Sequence, residues 1–536
     1  MRALRFVILL SVSATWAYGQ GPAMPVDQLD NYRNTSDRAN DGPLSDFRLI
    51  NYFFTRFSAT NLLGDPVGLR GVSLGPIGNV GGSAVQVTPT SFNAFIEQRW
   101  IPVIEYAPFF TDDLAAFRAQ FEIDFTWGLG ANSSQQNSGG GLNADMINIQ
   151  TKNVNVSLYP TRKPRQLTLV IGTQSFYDTI YDPARTSVLD LVKTGYKLTY
   201  LGTDGTGISV FSEPINGLRL RGALVFIGAS QPDKAALDDP HLAFSFLTML
   251  DASYEPRPGT LFGASAWLLR DDTKGKAYAF EGLVLSGPSS SGLNPFTGTA
   301  RMPIEAAVGS VGFFGANFQH NLSFNSSRFA ASGFAMLNVG TYNSTNDPAN
   351  PKTLDIMGGT ANLELLYQYG RNPNEVITLE GLYSSGDDNL TDGQYTGAYT
   401  MNFYGLPGAV WFNHKTLLIF PFTSTVNNHT GAVSDISNNG LGVSTAIATG
   451  SYDIIPNKLN FKLGTAMAWA NTAPAGVGRT KYMGWEINAE LKYTIRFLMT
   501  VGLHGAYMVR GGFYNGSDRV TTNPYALFTT FTWYAF

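Results

Sequence analysis

The chain has 536 residues, with 57 glycines, 13 % aromatic and 14 % charged residues, no cysteine and a formal net charge of −4. The missing cysteine removes disulfides, thiolate metal sites and thiol nucleophiles together, and the weak negative charge excludes a general nucleic-acid binder. Mean hydropathy is −0.04 although 44 % of residues are hydrophobic, a balance that fits alternating apolar and polar faces better than one buried core.

Met1, Arg2 and Arg5 precede the apolar run Phe6 to Val12, and small residues follow at Ala17 and Gly19. A basic start, a short apolar core and small residues are the pattern of a secretory signal peptide, so residues 1–19 are expected to be removed. Residues 20–44 are polar and rich in Pro, Asn and Asp, and are expected to be a short periplasmic lead-in to a barrel over 45–536. No later stretch offers the roughly 20 apolar residues of a membrane helix.

The first expected strand, 45–59, sets Phe47, Leu49, Phe53 and Phe57 against Arg48, Tyr52 and Arg56. The second, 91–105, sets Ala94, Ile96 and Trp100 against Glu97 and Arg99. The third, Leu114 to Gly130, is the clearest. Phe117, Phe121, Ile123, Phe125 and Trp127 alternate with Arg118, Gln120, Glu122, Asp124 and Thr126. Strand side chains alternate between two faces, whereas a helix would mix the carboxylates among the Phe rings. One lipid-facing apolar side and one wet side make a membrane-barrel stave of about 9–11 tilted residues.

The pattern recurs at 144–159, 166–177, 194–211, 218–228, 241–254, 260–270, 304–319, 326–341, 358–369, 374–385, 440–452, 458–470, 482–494, 497–510 and 523–536. That is an all-β, transmembrane antiparallel barrel of about 18 strands, with 16 to 20 as the alternative range. With the amino terminus in the periplasm, every short connection follows an even strand and every long Gly/Ser/Asn loop an odd one, the outer-membrane arrangement. The chain ends on an aromatic strand, Tyr525 to Phe536, which resembles the carboxy-terminal strand read by the outer-membrane insertion machinery; an ordinary edge strand ending in Phe is the alternative. Segment 277–285 is assigned to a loop. The apolar middle of the long loop 386–439, Leu417 to Phe422, is expected to pack inside, since exposed it would invite association.

A charge on the lipid face costs roughly 2–4 kcal/mol at midplane, so the polar face should be the lumen. Its expected lining is Arg48, Arg56, Glu97, Arg99, Arg118, Glu122, Asp124, Arg219, Arg221, Glu364, Glu380, Lys458, Lys462, Glu486, Glu490, Lys492, Arg496, His504 and Arg510. Two readings stay open: a modest basic excess that favours anionic solutes, or pairs across the wall that only keep the lumen wet. The five histidines are scattered with no partner at metal-ligand spacing, and no catalytic set or cofactor motif emerges. Ser385 to Gly393 has oxygen ligands for calcium but lacks a distal Glu, so it reads as an acidic turn.

Leu167-Thr-Leu-Val-Ile-Gly-Thr-Gln174, then Asp182, Arg185 and Gly195-Tyr-Lys-Leu-Thr199, resembles the alginate-export porins, as do Ser385-Gly-Asp-Asp388 and Leu417-Leu-Ile-Phe-Pro421. Thr173 stands where that family usually has a basic residue. The resemblance implies an eighteen-stranded barrel with a basic constriction for an anionic polyuronate, and Arg118, Gln174, Arg185 and Arg496 as solute contacts. The expected function is a passive outer-membrane porin for small hydrophilic solutes, including anionic sugars; the alternative is a non-channel surface or structural barrel. The expected partners are outer-membrane lipid, the solute and the insertion machinery.

Overall fold

The computed structural model describes residues 47–62, 86–112, 114–128, 146–162, 166–177, 201–229, 244–272, 304, 307–344, 352–372, 374–389, 391–399, 401–402, 415–420, 433–434, 436–438, 440–496 and 499–535. The expected signal peptide, the lead-in, segment 277–285, Arg185 and Phe536 lie outside the described residues.

Eighteen long strands are present: β1 Phe47–Thr60, β2 Asn93–Tyr106, β3 Ala115–Gly128, β4 Met146–Leu158, β5 Thr168–Tyr177, β6 Leu201–Ile215, β7 Leu218–Ala229, β8 Phe244–Arg257, β9 Thr260–Asp271, β10 Ala307–His320, β11 Phe329–Ser344, β12 Thr353–Gln368, β13 Val376–Ser384, β14 Val443–Ile455, β15 Leu459–Ala470, β16 Tyr482–Arg496, β17 Met499–Arg510 and β18 Tyr525–Ala535. Each pairs antiparallel with its neighbours in sequence. β18 also pairs with β1, Tyr534 opposite Tyr52 and Phe528 opposite Ser58, which closes the barrel and leaves no edge.

The tight connections all fall at one end. Two share the pattern Glu-Pro-x-x-Gly, Glu213-Pro-Ile-Asn-Gly217 and Glu255-Pro-Arg-Pro-Gly259. In both, the Gly sits at φ 82°, a left-handed conformation open to glycine. In both, its N–H donates to the carboxylate four residues back, at 3.0 Å in the first and 2.9 Å in the second. This corrects the expected end of the sixth strand, which runs through Pro214 to Ile215, its register shifting after Ser212; its described part is Leu201–Ile215. β12 begins at Thr353, ahead of the expected 358, because Leu354 and Ile356 face inward and Met357 outward; apolar residues on both faces hide the alternation.

The outer wall is apolar. Leu220, Leu224, Leu250, Phe262, Leu363, Leu379, Leu503 and Trp533 are all exposed on it. The inner wall is not uniformly polar. Leu247, Met249, Trp267, Leu269, Val311, Phe313, Met336 and Tyr342 point inward and are buried. They join one apolar cluster with loop residues Tyr399, Leu417, Leu418, Ile419, Phe420, Val433, Ile436, Phe513 and Tyr514. The chain after β13 therefore enters the barrel. Gln394–Tyr395 pairs in parallel with Asp355 and Ile356 of β12, and Met401–Asn402 with Leu201 and Gly202 of β6, so it crosses from one part of the wall to another.

Candidate functional site

Two systems of charged residues organise the interior. The first holds the inward chain. Glu364 of β12 and Glu380 of β13 stand directly opposite each other, a repulsive placement for two carboxylates. Lys415 of the long loop sits between them, its Nζ 3.1 Å from Glu364 and 2.5 Å from Glu380. Asn362 donates to Glu380 at 2.8 Å. All three charges are buried.

The same stretch is gripped from β16. The Glu486 carboxylate accepts the backbone N–H groups of Leu417 at 2.7 Å, Leu418 at 3.2 Å and Ile419 at 2.8 Å. Asn488 donates to the Lys415 carbonyl at 3.0 Å and to Glu486 at 2.8 Å. Thr416 closes the turn, its hydroxyl accepting from the Phe420 N–H at 3.0 Å. Leu418 and Ile419 offer carbonyls to Val433 and Ser434. Leu417 to Phe420 form a turn inside the barrel.

The wall beneath makes room. β15 alternates Phe461, Leu463, Met467 and Trp469 outside with Gly464, Ala466, Ala468 and Ala470 inside. A Cβ on Gly464 would lie 2.4 Å from Asn488 Oδ1 and 2.9 Å from the Lys415 carbonyl. Burial pushes the nearby Tyr399 phenol well above its ordinary range, so it stays a neutral hydrogen-bonding group; it lies 3.3 Å from the Tyr342 hydroxyl.

The second system lies on the wall itself. Lys462 on β15 bonds Glu490 on β16. Glu490 bonds His504 Nδ1 on β17 at 2.7 Å, and His504 Nε2 meets the Thr530 hydroxyl on β18 at 3.0 Å. The His504 ring stacks on Phe528, centroids 4.6 Å apart and 8° between planes. Over that ring, 5.5 Å from its centroid, lies the Arg56 guanidinium of β1. Arg56 Nε donates to Glu97 of β2 at 2.7 Å; the pair is 1 % and 0 % exposed. A polar belt thus crosses six neighbouring strands at one level.

Hydroxyl, imidazole and carboxylate stand here in the order of a nucleophilic hydrolase, a grouping that was not visible in the sequence. The Glu490 carboxylate, however, is already engaged by Lys462, and a Cβ on Gly502 would fall 2.3 Å from His504 Nε2 and 2.6 Å from the Thr530 hydroxyl. Gly502 thus lets the His504 ring and the Thr530 hydroxyl lie close against the wall.

The other expected lining residues separate into groups. Arg118 donates to Gln120 at 2.9 Å and lies 3.9 Å from Glu105. Arg219 pairs with Glu255 and Arg221 with Asp251. Arg99 is buried. Gln174 is inward but committed, donating to the Val170 and Gly207 carbonyls and accepting from Ser209. Arg48, Glu122 and Asp124 hold strand positions opposite Glu105, Gln150 and Arg99 respectively, but their side chains lie outside the described residues. Lys492 and Arg496 are exposed at the tight-turn end of β16 and Arg510 is half-buried at the long-loop end of β17. The turn Ser385 to Gly393 spends its carboxylates on its own backbone: Asp387 accepts from Asn389 and Thr396, and Asp392 from Gln394.

Sequence reasoning missed Lys415 and Asp251, because one lies in a loop and the other among apolar residues. The signal for the first was the run of small residues on the inner face of β15.

No protein-family model and no curated protein matches the chain. Among solved structures, it is similar to Pseudomonas aeruginosa OpdQ, with 10 % identity, a TM-score of 0.47, and 92 % of this chain and 99 % of that one covered. The outer membrane protein OpdK of the same organism gives 14 % identity, a TM-score of 0.46, and 92 % and 100 % coverage. Acinetobacter baumannii OccAB1 gives 13 % identity, a TM-score of 0.48, and 92 % and 98 % coverage.

Proposed function

We propose that the chain is an integral outer-membrane porin, exported by its signal peptide, through which small hydrophilic solutes pass passively, anionic sugars of the alginate-export type among them. The observation that carries this reading is the inward run Lys415 to Phe420, fixed by wall carboxylates and amides inside a closed barrel whose outside is apolar. An eighteen-stranded barrel is wide enough to leave a lumen, and a clamped segment narrows it to a defined passage. Paired charges keep that passage wet, while Lys492, Arg496 and Arg510 supply positive charge at its two ends. Arg118, Gln174 and Arg185 remain the proposed solute contacts within it. In this reading both termini face the periplasm, and the Phe536 strand is the signal to the insertion machinery.

The specific observation favouring a non-channel barrel is the apolar packing of Leu417 to Phe420 against Val433, Tyr399 and Tyr514. Single-channel recording in a planar bilayer, under a salt gradient and with uronate oligomers as blockers, decides between them. Steady conductance with anion preference and uronate block is expected. Conductance without preference or block removes the acidic-sugar assignment. No conductance from a folded barrel gives the surface or structural role.

A further inference from the structure

A polar cavity of about 540 Å³ lies at the long-loop end, between the chain that follows β1 and the chain that enters β18. Its frame is rigid. Asn61 donates to the Asn523 carbonyl at 2.9 Å and accepts from the Tyr525 N–H at 2.8 Å. Asn523 in turn accepts from the Arg510 N–H at 3.1 Å and donates to the Tyr507 hydroxyl at 2.7 Å. On the other side Val87 bridges to Val520, and its carbonyl takes the N–H groups of Thr521 and Thr522. Thr88 and Ser91 lock the adjoining turn through their hydroxyls, 2.8 Å apart.

The frame therefore uses up its own amides and leaves other groups unspent. Among the described residues Arg510 lines the cavity with no ion pair, and no carboxylate lines it. The Thr522 hydroxyl is buried without a hydrogen-bond partner, a costly state for a polar atom. Thr521 adds a second hydroxyl. Tyr507, which faces outward from the barrel, forms one edge, so the cavity adjoins the membrane-facing wall as well as the rim of the lumen.

We propose that this cavity binds a phosphorylated sugar, its phosphate on Arg510 and its hydroxyls on Thr521 and Thr522, presented free in solution or as the headgroup of an outer-leaflet glycolipid. A forked guanidinium suits a phosphate, the volume is that of small-ligand sites, and a preformed frame lowers the ordering cost of binding. The glycolipid source alone rests on the proposed outward orientation of the long loops.

Calorimetric titration of the full-length barrel in neutral detergent tests the site. One arm uses glucose 1-phosphate, with glucose as the neutral control; the other uses micelles doped with lipid A, with phosphatidylcholine as control. Binding of either phosphorylated probe, weakened roughly tenfold or more in Arg510→Gln and less in Thr522→Val, is expected. Binding in the first arm assigns a free sugar, and binding in the second alone assigns the lipid. Binding of neither probe, or binding unchanged in both variants, overturns the proposal. Arg510→Lys serves if Arg510→Gln does not fold, since an ammonium keeps the charge but loses the fork. Conductance is measured separately, so a silent channel and an empty cavity are distinct failures.

Discussion

Two stretches of the inner wall, β12 to β16 and β16 to β2, fill the interior in opposite ways. In the first, the wall recedes: Gly464, Ala466, Ala468 and Ala470 make space, and a separate piece of chain fills it. In the second, the wall advances: Glu490, His504, Arg56 and Glu97 reach inward, Glu490 bonding His504 and the neighbouring Lys462 of β15, and Arg56 bonding Glu97. Both stretches show the same period of two and the same apolar exterior. What differs is the size and charge of the inward residue, which decides whether a strand hosts a loop or forms a lining.

The largest effect should come from Lys415. Lys415→Met leaves Glu364 and Glu380 facing each other in the interior, and breaking a buried ion pair costs about 3–5 kcal/mol. Urea unfolding of the folded barrel should show a loss of that order, and single-channel conductance should rise as the segment leaves the wall. Unchanged stability and conductance would mean that β12 to β16 do not hold the segment through this charge.

Next is the self-contained belt. Glu97→Gln removes the carboxylate charge from the buried Arg56 and should cost about 3 kcal/mol. A double replacement, Arg56→Met with Glu97→Leu, should cost much less than the two single changes together, because the pair is lost as a unit. Additive losses would break the distinction between the two stretches, since each residue would then be held separately.

Ala466→Leu probes the receding wall. A larger side chain where the loop lies should cost about 1–3 kcal/mol, whereas the same enlargement at the outward Ala446 should be near neutral. Equal effects would show that the inner space is not reserved. The smallest effect belongs to the turn that joins β12 to β13. Backbone N–H groups of Asn372 and Arg371 donate to Glu375 and hold its carboxyl below the ordinary range. A depressed value stabilises the turn above the ordinary carboxylate range, and that support is lost as pH falls through the folded value. Hydrogen exchange at residues 370–375 should therefore quicken only in acid, and Glu375→Gln should remove the dependence.

Strand number, closure order and the placement of short turns were all legible, because one-sided burial writes a period of two into each stave, as in β3 and β16. The faces of β15 and β16 were readable for the same reason. The interior of β8 to β11 was not. Leu247, Met249, Trp267 and Phe313 look inward onto a packed chain, and a strand apolar on both sides carries no alternation to read. Lys415 was invisible for another reason: its partners are set by where a loop folds, which no local period encodes. The pairing of the inward charges follows from register, as between Glu490 and His504, and no single strand encodes it.

The closing seam carries a consequence for biosynthesis. Asn61 and Tyr525 are joined across 464 residues of sequence, and Arg56 completes its surroundings with Phe528. The first stave to leave the ribosome thus waits for the last before it has a permanent neighbour on that side. Until then the nascent sheet has two unpaired margins, each a template for another chain. A transcript truncated before Tyr525 would yield an open ribbon instead of a narrower cylinder, which gives cellular quality control a sharp feature to detect: a free margin on either side of the missing stave.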